Sequence, residues 1–165
     1  MAKRAKVIKA DYLLKDKIGT GTIKEEVVDL CQAILDNNPF DFAPIAYQHL
    51  SELTTVIEQA KKHELTRDEA TEKMTECVMQ LKANAPMFGY DLVGKLANIM
   101  LSFLESISDI DDHAIDIVSA HHDTLHAIIT KKMRGKGGEA GKQFETELKS
   151  ACERYFKAKR KKESQ

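Results

Sequence analysis

The chain has 165 residues, 42% of them hydrophobic and 31% charged, with no Trp and a formal net charge of −1 at pH 7. That length suits one domain of ordinary size, able to bury roughly two thirds of its unfolded surface and so to fold without disulfides or a metal. The apolar content excludes wholesale disorder, and the near-neutral charge excludes a surface built throughout to hold nucleic acid.

Residues 1–22 read as a basic flexible arm, with Lys3, Arg4, Lys6, Lys9, Lys15 and Lys17 against Asp11 and Asp16, ending in GTGT. The arm lacks the apolar run of a signal peptide, and no stretch approaches the roughly 18 apolar residues of a membrane span. Cys31, Cys77 and Cys152 are odd in number and contain no CxxC pair. Neither a disulfide framework nor a zinc site is expected; the thiols read as buried and reduced, and the protein as cytoplasmic.

From Ile23 onward the hydrophobic period is helical, with no alternating β-branched runs to compete. Residues 23–162 are therefore predicted to form a single all-α domain, an antiparallel bundle of about six helices. Ile23, Val27, Leu30 and Ile34 mark the first helix, stopped by Asn37-Asn38-Pro39. The second runs from about Phe42 to His63. The third opens with a capping box, Thr66-Arg67-Asp68-Glu69, and buries the row Ala70, Met74, Cys77, Leu81 and Ala85. Pro86 and Gly89 end it. The fourth spans about Tyr90 to Ser106, and the fifth starts at the acidic cluster Asp109, Asp111 and Asp112, which offsets the helix dipole, and runs to Met133. The loop RGKGGEAG leads to a sixth helix, Gly141 to about Lys162. The core is expected to include Ile34, Leu53, Ile57, Met74, Cys77, Leu81, Leu92, Leu96, Ile99, Phe103, Val118, Leu125 and Phe144.

Residues 79–105 read MQLKANAPMFGYDLVGKLANIMLSFLE. Leu81-Lys82, the small Ala83 and Ala85, Phe88-Gly89, Leu96-Ala97 and Leu104-Glu105 fall in the order found in histidine-containing phosphotransfer (HPt) domains, so the stretch resembles the signature of that family. The resemblance implies an HPt-like helical core and a place in two-component signalling, where a His accepts a phosphoryl group from one receiver aspartate and passes it to another. Met79 stands at the position of that His, and a thioether cannot be phosphorylated. What the resemblance then implies is docking of a signalling partner, such as a receiver domain or a histidine kinase, without relay through this position. Three residues apart, Met79 and Lys82 share a helix face with Thr75 and Pro86, away from the buried row. The expected partner-binding set is Met79, Lys82, Ala83 and Met87; the alternative is that Met79 packs on a neighbouring helix.

Ala120-His121-His122-Asp123-Thr124-Leu125 and the segment from Arg134 to Gly141 are similar to uncharacterised alphaproteobacterial helical proteins associated with two-component systems. That likeness implies no mechanism.

Helix 5 carries His113, His121, His122 and His126. His122 and His126 are four apart but lack a third ligand, so no metal is expected. His121 falls in the apolar stripe of Val118, Leu125 and Ile128. If the phosphoacceptor has moved, His121 and His122 are the candidates, which would make the protein a phosphotransferase. The glycine loop offers an anion site at Lys136, Gly137, Gly138 and Lys142, against which stands its reading as a helix connector, since it lacks the preceding strand and Gly-Lys-Ser/Thr ending of a nucleotide loop. The tail KAKRKK and the basic arm leave a third reading, a nucleic-acid- or membrane-associated helical protein, although no aromatic residues are interleaved for base stacking. No enzyme constellation and no cofactor motif emerges.

Overall fold

The computed structural model describes residue 17 and residues 21–37, 41–107 and 109–163. The protein is all-α. Among the described residues there are six α-helices and no strand: α1 (Glu25–Asp36), α2 (Ala43–Lys61), α3 (Arg67–Asn84), α4 (Asp91–Ser106), α5 (Asp112–Thr130) and α6 (Gly138–Glu163), with a 3-10 turn at Ala85–Phe88. Apart from Lys17, the charged residues of the predicted basic arm lie outside the described residues.

The chain divides into two compact units, Met1–Ile34 and Leu35–Gln165. In the first unit α1 begins with Glu25 and Glu26, which suit the positive end of a helix dipole. Its apolar row stands exposed: Ile34, expected in the core, is 64% accessible, and Ile23, Val27 and Leu30 are exposed with it. Cys31, expected to be buried, is exposed on the same helix. The period of a helix fixes which residues share a face, and α1 has an apolar face without burying it.

The second unit holds the core. α2 packs on α3 and α5, and α4 packs on the same two helices, closing a four-helix ring that α6 joins along α4 and α5. Short connections between successive helices produce this arrangement of neighbours. The row predicted for α3 is wholly buried, as are Leu53, Ile57, Leu92, Leu96, Phe103, Val118 and Leu125. Ile99 and Phe144 lie at its edge, partly buried. At one end Phe42 stacks on Phe88 at 5.5 Å and tilts against Tyr90 at 5.3 Å.

Side chains define the helix starts. Thr66 and Glu69 form the predicted capping box: Glu69 accepts from the Thr66 amide at 2.9 Å, and Thr66 Oγ1 from the Glu69 amide at 3.3 Å. The Thr66 hydroxyl, which donates to the Glu69 carboxylate at 2.7 Å, and the Thr66 amide together hold that carboxyl below its ordinary range. Asp111 caps α5 by accepting from the Ala114 amide at 2.9 Å, so the acidic cluster supplies a specific bond as well as dipole charge.

Candidate functional site

The α3–α4 corner is built by three residues. Pro86 cannot donate an amide hydrogen, so the chain tightens into the 3-10 turn. Gly89 takes φ 75°, which reverses the chain, and the Tyr90 amide returns to the Ala85 carbonyl at 2.9 Å. Gly94 lets this corner lie against α4, because a Cβ there would sit 2.8 Å from Pro86 Cγ.

This corner displays the predicted docking residues. Met79 and Met87 are each 52% exposed, the most accessible large apolar side chains among the described residues of the unit Leu35–Gln165. Lys82 and Ala83 are exposed between them in sequence, whereas Met74, Cys77, Val78 and Leu81 are buried. Lys82 lies in the last turn of α3, where a cation meets the negative end of the dipole. It also lines a cavity of about 590 Å³ together with Pro86, Lys95 and Lys136. Tertiary structure thus brings one lysine of the α3 motif and one of the glycine loop to a single concavity, a juxtaposition with no trace in local spacing.

The glycine loop is pinned to the start of α4. The Gly135 amide donates to the Gly89 carbonyl at 2.6 Å, and the Leu92 amide donates to the Gly135 carbonyl at 2.9 Å. The second of these bonds satisfies one of the free amides of the first turn of α4. Gly135, Gly137 and Gly138 all take positive φ. A Cβ on Gly137 would come within 2.5 Å of Leu92 Cδ2, and one on Gly141 would collide with the Lys136 carbonyl. Gly137 and Gly141 therefore serve close approach, whereas Gly135 and Gly138 have open space around them and serve the positive φ alone. Of the proposed anion set, Lys136 faces the cavity and Lys142 pairs with Glu139 at 3.5 Å.

The two adjacent histidines of α5 differ completely. His121 is fully buried; its Nδ1–H donates to the Ile117 carbonyl at 3.0 Å, and Nε2 has no partner. Burial pushes its pKa below 6.5, partly offset by the bond to Ile117. His122 sits at the rim between α2 and α5, in a cavity of about 530 Å³ with Tyr47, Ser51, Thr54 and His126. Its Nε2 faces Thr54 Oγ1 at 2.9 Å and the Leu50 carbonyl at 3.2 Å, and its Nδ1 faces Asp123 Oδ1 at 3.1 Å. Attack on phosphorus requires a free nitrogen lone pair. Protein oxygens occupy both directions at His122, and His121 has no access to solvent.

Burial pushes the Cys77 and Cys152 thiols up to about 11, so both stay protonated at neutral pH. The α2–α5 rim holds His122 and His126 with ring centroids 6.2 Å apart, and among the described residues no cluster of three His, Cys, Asp or Glu is arranged to hold a metal. No described helix is long and apolar enough to cross a membrane. Compared with protein families, curated proteins and solved structures, the chain matches none of them.

Proposed function

We propose that the protein is an HPt-like interaction module that docks a two-component signalling partner, a receiver domain or a histidine kinase, through Met79, Lys82, Ala83 and Met87, without relaying phosphate there. The observation that carries the reading is the pair of half-exposed methionines flanking Lys82 on a bundle that buries most of its large apolar side chains. An unbranched thioether adapts its shape to a partner at little cost, and a neighbouring cation suits an acidic partner surface. Docking needs shape and charge, whereas transfer needs an imidazole in line with the aspartyl phosphate; Met79 supplies the first and not the second.

Titration of phosphorylated and unphosphorylated receiver domains and of histidine-kinase cores into the full chain tests this. Met79→Asp places an unpaired charge at the contact and is expected to weaken binding by about 1–3 kcal/mol. Acid-labile phosphate on the wild type after exposure to a phosphorylated receiver would instead support a displaced histidine, to be located with His121→Gln and His122→Gln. Absence of binding to every receiver and kinase core tried would remove the docking reading.

A further inference from the structure

Helices α4 and α6 run side by side in the same direction. Lys95 faces Glu145 at 4.0 Å toward their beginnings, and Phe103 meets Phe156 at 5.7 Å toward their ends. Two cavities lie on this seam, of about 590 and 320 Å³, and both are lined by Asn98, Ile99 and Lys149, so they form one groove. On the α4 side the wall runs through Asp91, Lys95, Asn98, Ser102 and Ser106, three or four residues apart and covering the whole helix. That length is about 24 Å. A groove of this length between two parallel helices has the shape that a third helix fills, its side-chain ridges settling between theirs.

The chemistry of the groove is graded along its length. Pro86, Ile99 and Phe156 supply accessible apolar surface over the buried Phe103, while Lys82, Lys95 and Lys136 line the end near the α3–α4 corner and Lys149 lines both cavities. The acids in the wall are largely engaged. Glu145 accepts from Lys149 at 2.8 Å and lies 4.0 Å from Lys95; chiefly the Lys149 bond holds its carboxyl below the ordinary range. Glu153 pairs with Lys157 at 3.9 Å. Asp91 lies in the first turn of α4, facing the positive end of its dipole. Among the described residues neither Lys82 nor Lys136 has a carboxylate within ion-pair distance. The unspent charge is positive and sits at one end, and the unspent apolar surface extends toward the other.

We infer that the α4–α6 groove binds an amphipathic helical segment of a partner protein, with carboxylates at one end to meet Lys82 and Lys136 and apolar residues at helical spacing to cover the half-buried Ile99 and Phe156. A basic segment would meet unpaired lysines at the same end and be repelled. The mode is that of a helix laid into a groove, anchored at positions three and four apart. It stands whether or not the methionine face docks a signalling protein, since the two surfaces meet only at the α3–α4 corner.

The test uses the full-length chain labelled with ¹⁵N and a capped peptide of about 14 residues, close to the length of α4, with glutamates in its first turn and leucines at three- and four-residue spacing. A scrambled peptide of identical composition is the control. Saturable shifts are expected at Lys95, Asn98, Ser102, Ser106 and Lys149, with the scrambled peptide about tenfold weaker. Ser102→Trp, at an exposed position, should fill the groove and abolish binding, and the double change Lys82→Glu and Lys136→Glu should weaken it by about tenfold or more. Met79→Ala, which removes the methionine without placing a carboxylate beside Lys82, should leave peptide binding unchanged, which separates this surface from the docking face. Equal binding of the scrambled peptide, shifts outside the seam, or no saturable shift at millimolar peptide would each overturn the inference. So would inorganic phosphate reproducing the Lys82 and Lys136 shifts while the peptide adds none, which would mark a small-anion site.

Discussion

Met74 and Met79 lie on the same helix, five residues and about 140° apart around its axis. Met74 is fully buried, whereas Met79 is half exposed at the α3–α4 corner. His121 and His122 repeat the contrast on α5, one sealed in the core with a bare Nε2 and the other bonded at a rim. The same side-chain chemistry does different work on the two sides of a helix. Inside, it supplies packing and tolerates no charge; outside, it is available to a partner.

The largest expected effect lies on the inner side. Met74→Ala leaves a cavity in the core on a helix that packs on α2 and α4, and should cost about 2–5 kcal/mol in denaturant unfolding, with little change in the slope of the transition. A cost below that range would mean that the core collapses around the gap and that the two methionines differ less than their burial states.

Next come the glycines. Gly141→Ala drives a Cβ into the Lys136 carbonyl and should cost about 1–3 kcal/mol. Gly89→Ala has open space around the new methyl but keeps φ 75°, so only the backbone preference opposes it, about 1 kcal/mol. Comparing the two melting curves separates collision from conformational preference, and an equal loss would show that the loop yields around Gly141.

The histidine contrast predicts a pH dependence. The folded pKa of His121 lies below 6.5, the value for the unfolded chain, so in the window below about 6.5 the unfolded state binds more protons. The His121 contribution to stability is therefore lost as pH falls through that window and is constant above it. His121→Leu removes this contribution, and unfolding free energies measured from pH 7.5 to 5 should fall less steeply than in the wild type. An unchanged slope would assign the proton uptake to other groups.

The smallest effect on stability belongs to the outer side. Met79→Asp should stay within about 0.5 kcal/mol of the wild type, as exposed substitutions usually do, while weakening partner binding. If it unfolds the protein, Met79 belongs to the core, and both the comparison and the docking proposal fail.

The helices themselves were legible in the chain, because helical period, capping residues and breakers are local. Thr66 and Glu69, Asp111, Pro86 and Gly89 each act within a few residues of their own position, and the buried row of α3 follows from its spacing alone. So does the exposed side of that helix, which Met79 and Lys82 share. Whether an apolar face is covered is not local: α1 has a clear apolar row and leaves it open, while Ile99 and Phe144 fall at the edge of the core. The groove between α4 and α6, the meeting of Lys82 with Lys136, and the hydrogen bonds that tie Gly135 to Gly89 and Leu92 join distant parts of the chain. Only tertiary structure decided these, because hydrogen bonds and side-chain period order the chain over a turn or two, and contacts across the bundle depend on how every helix packs at once.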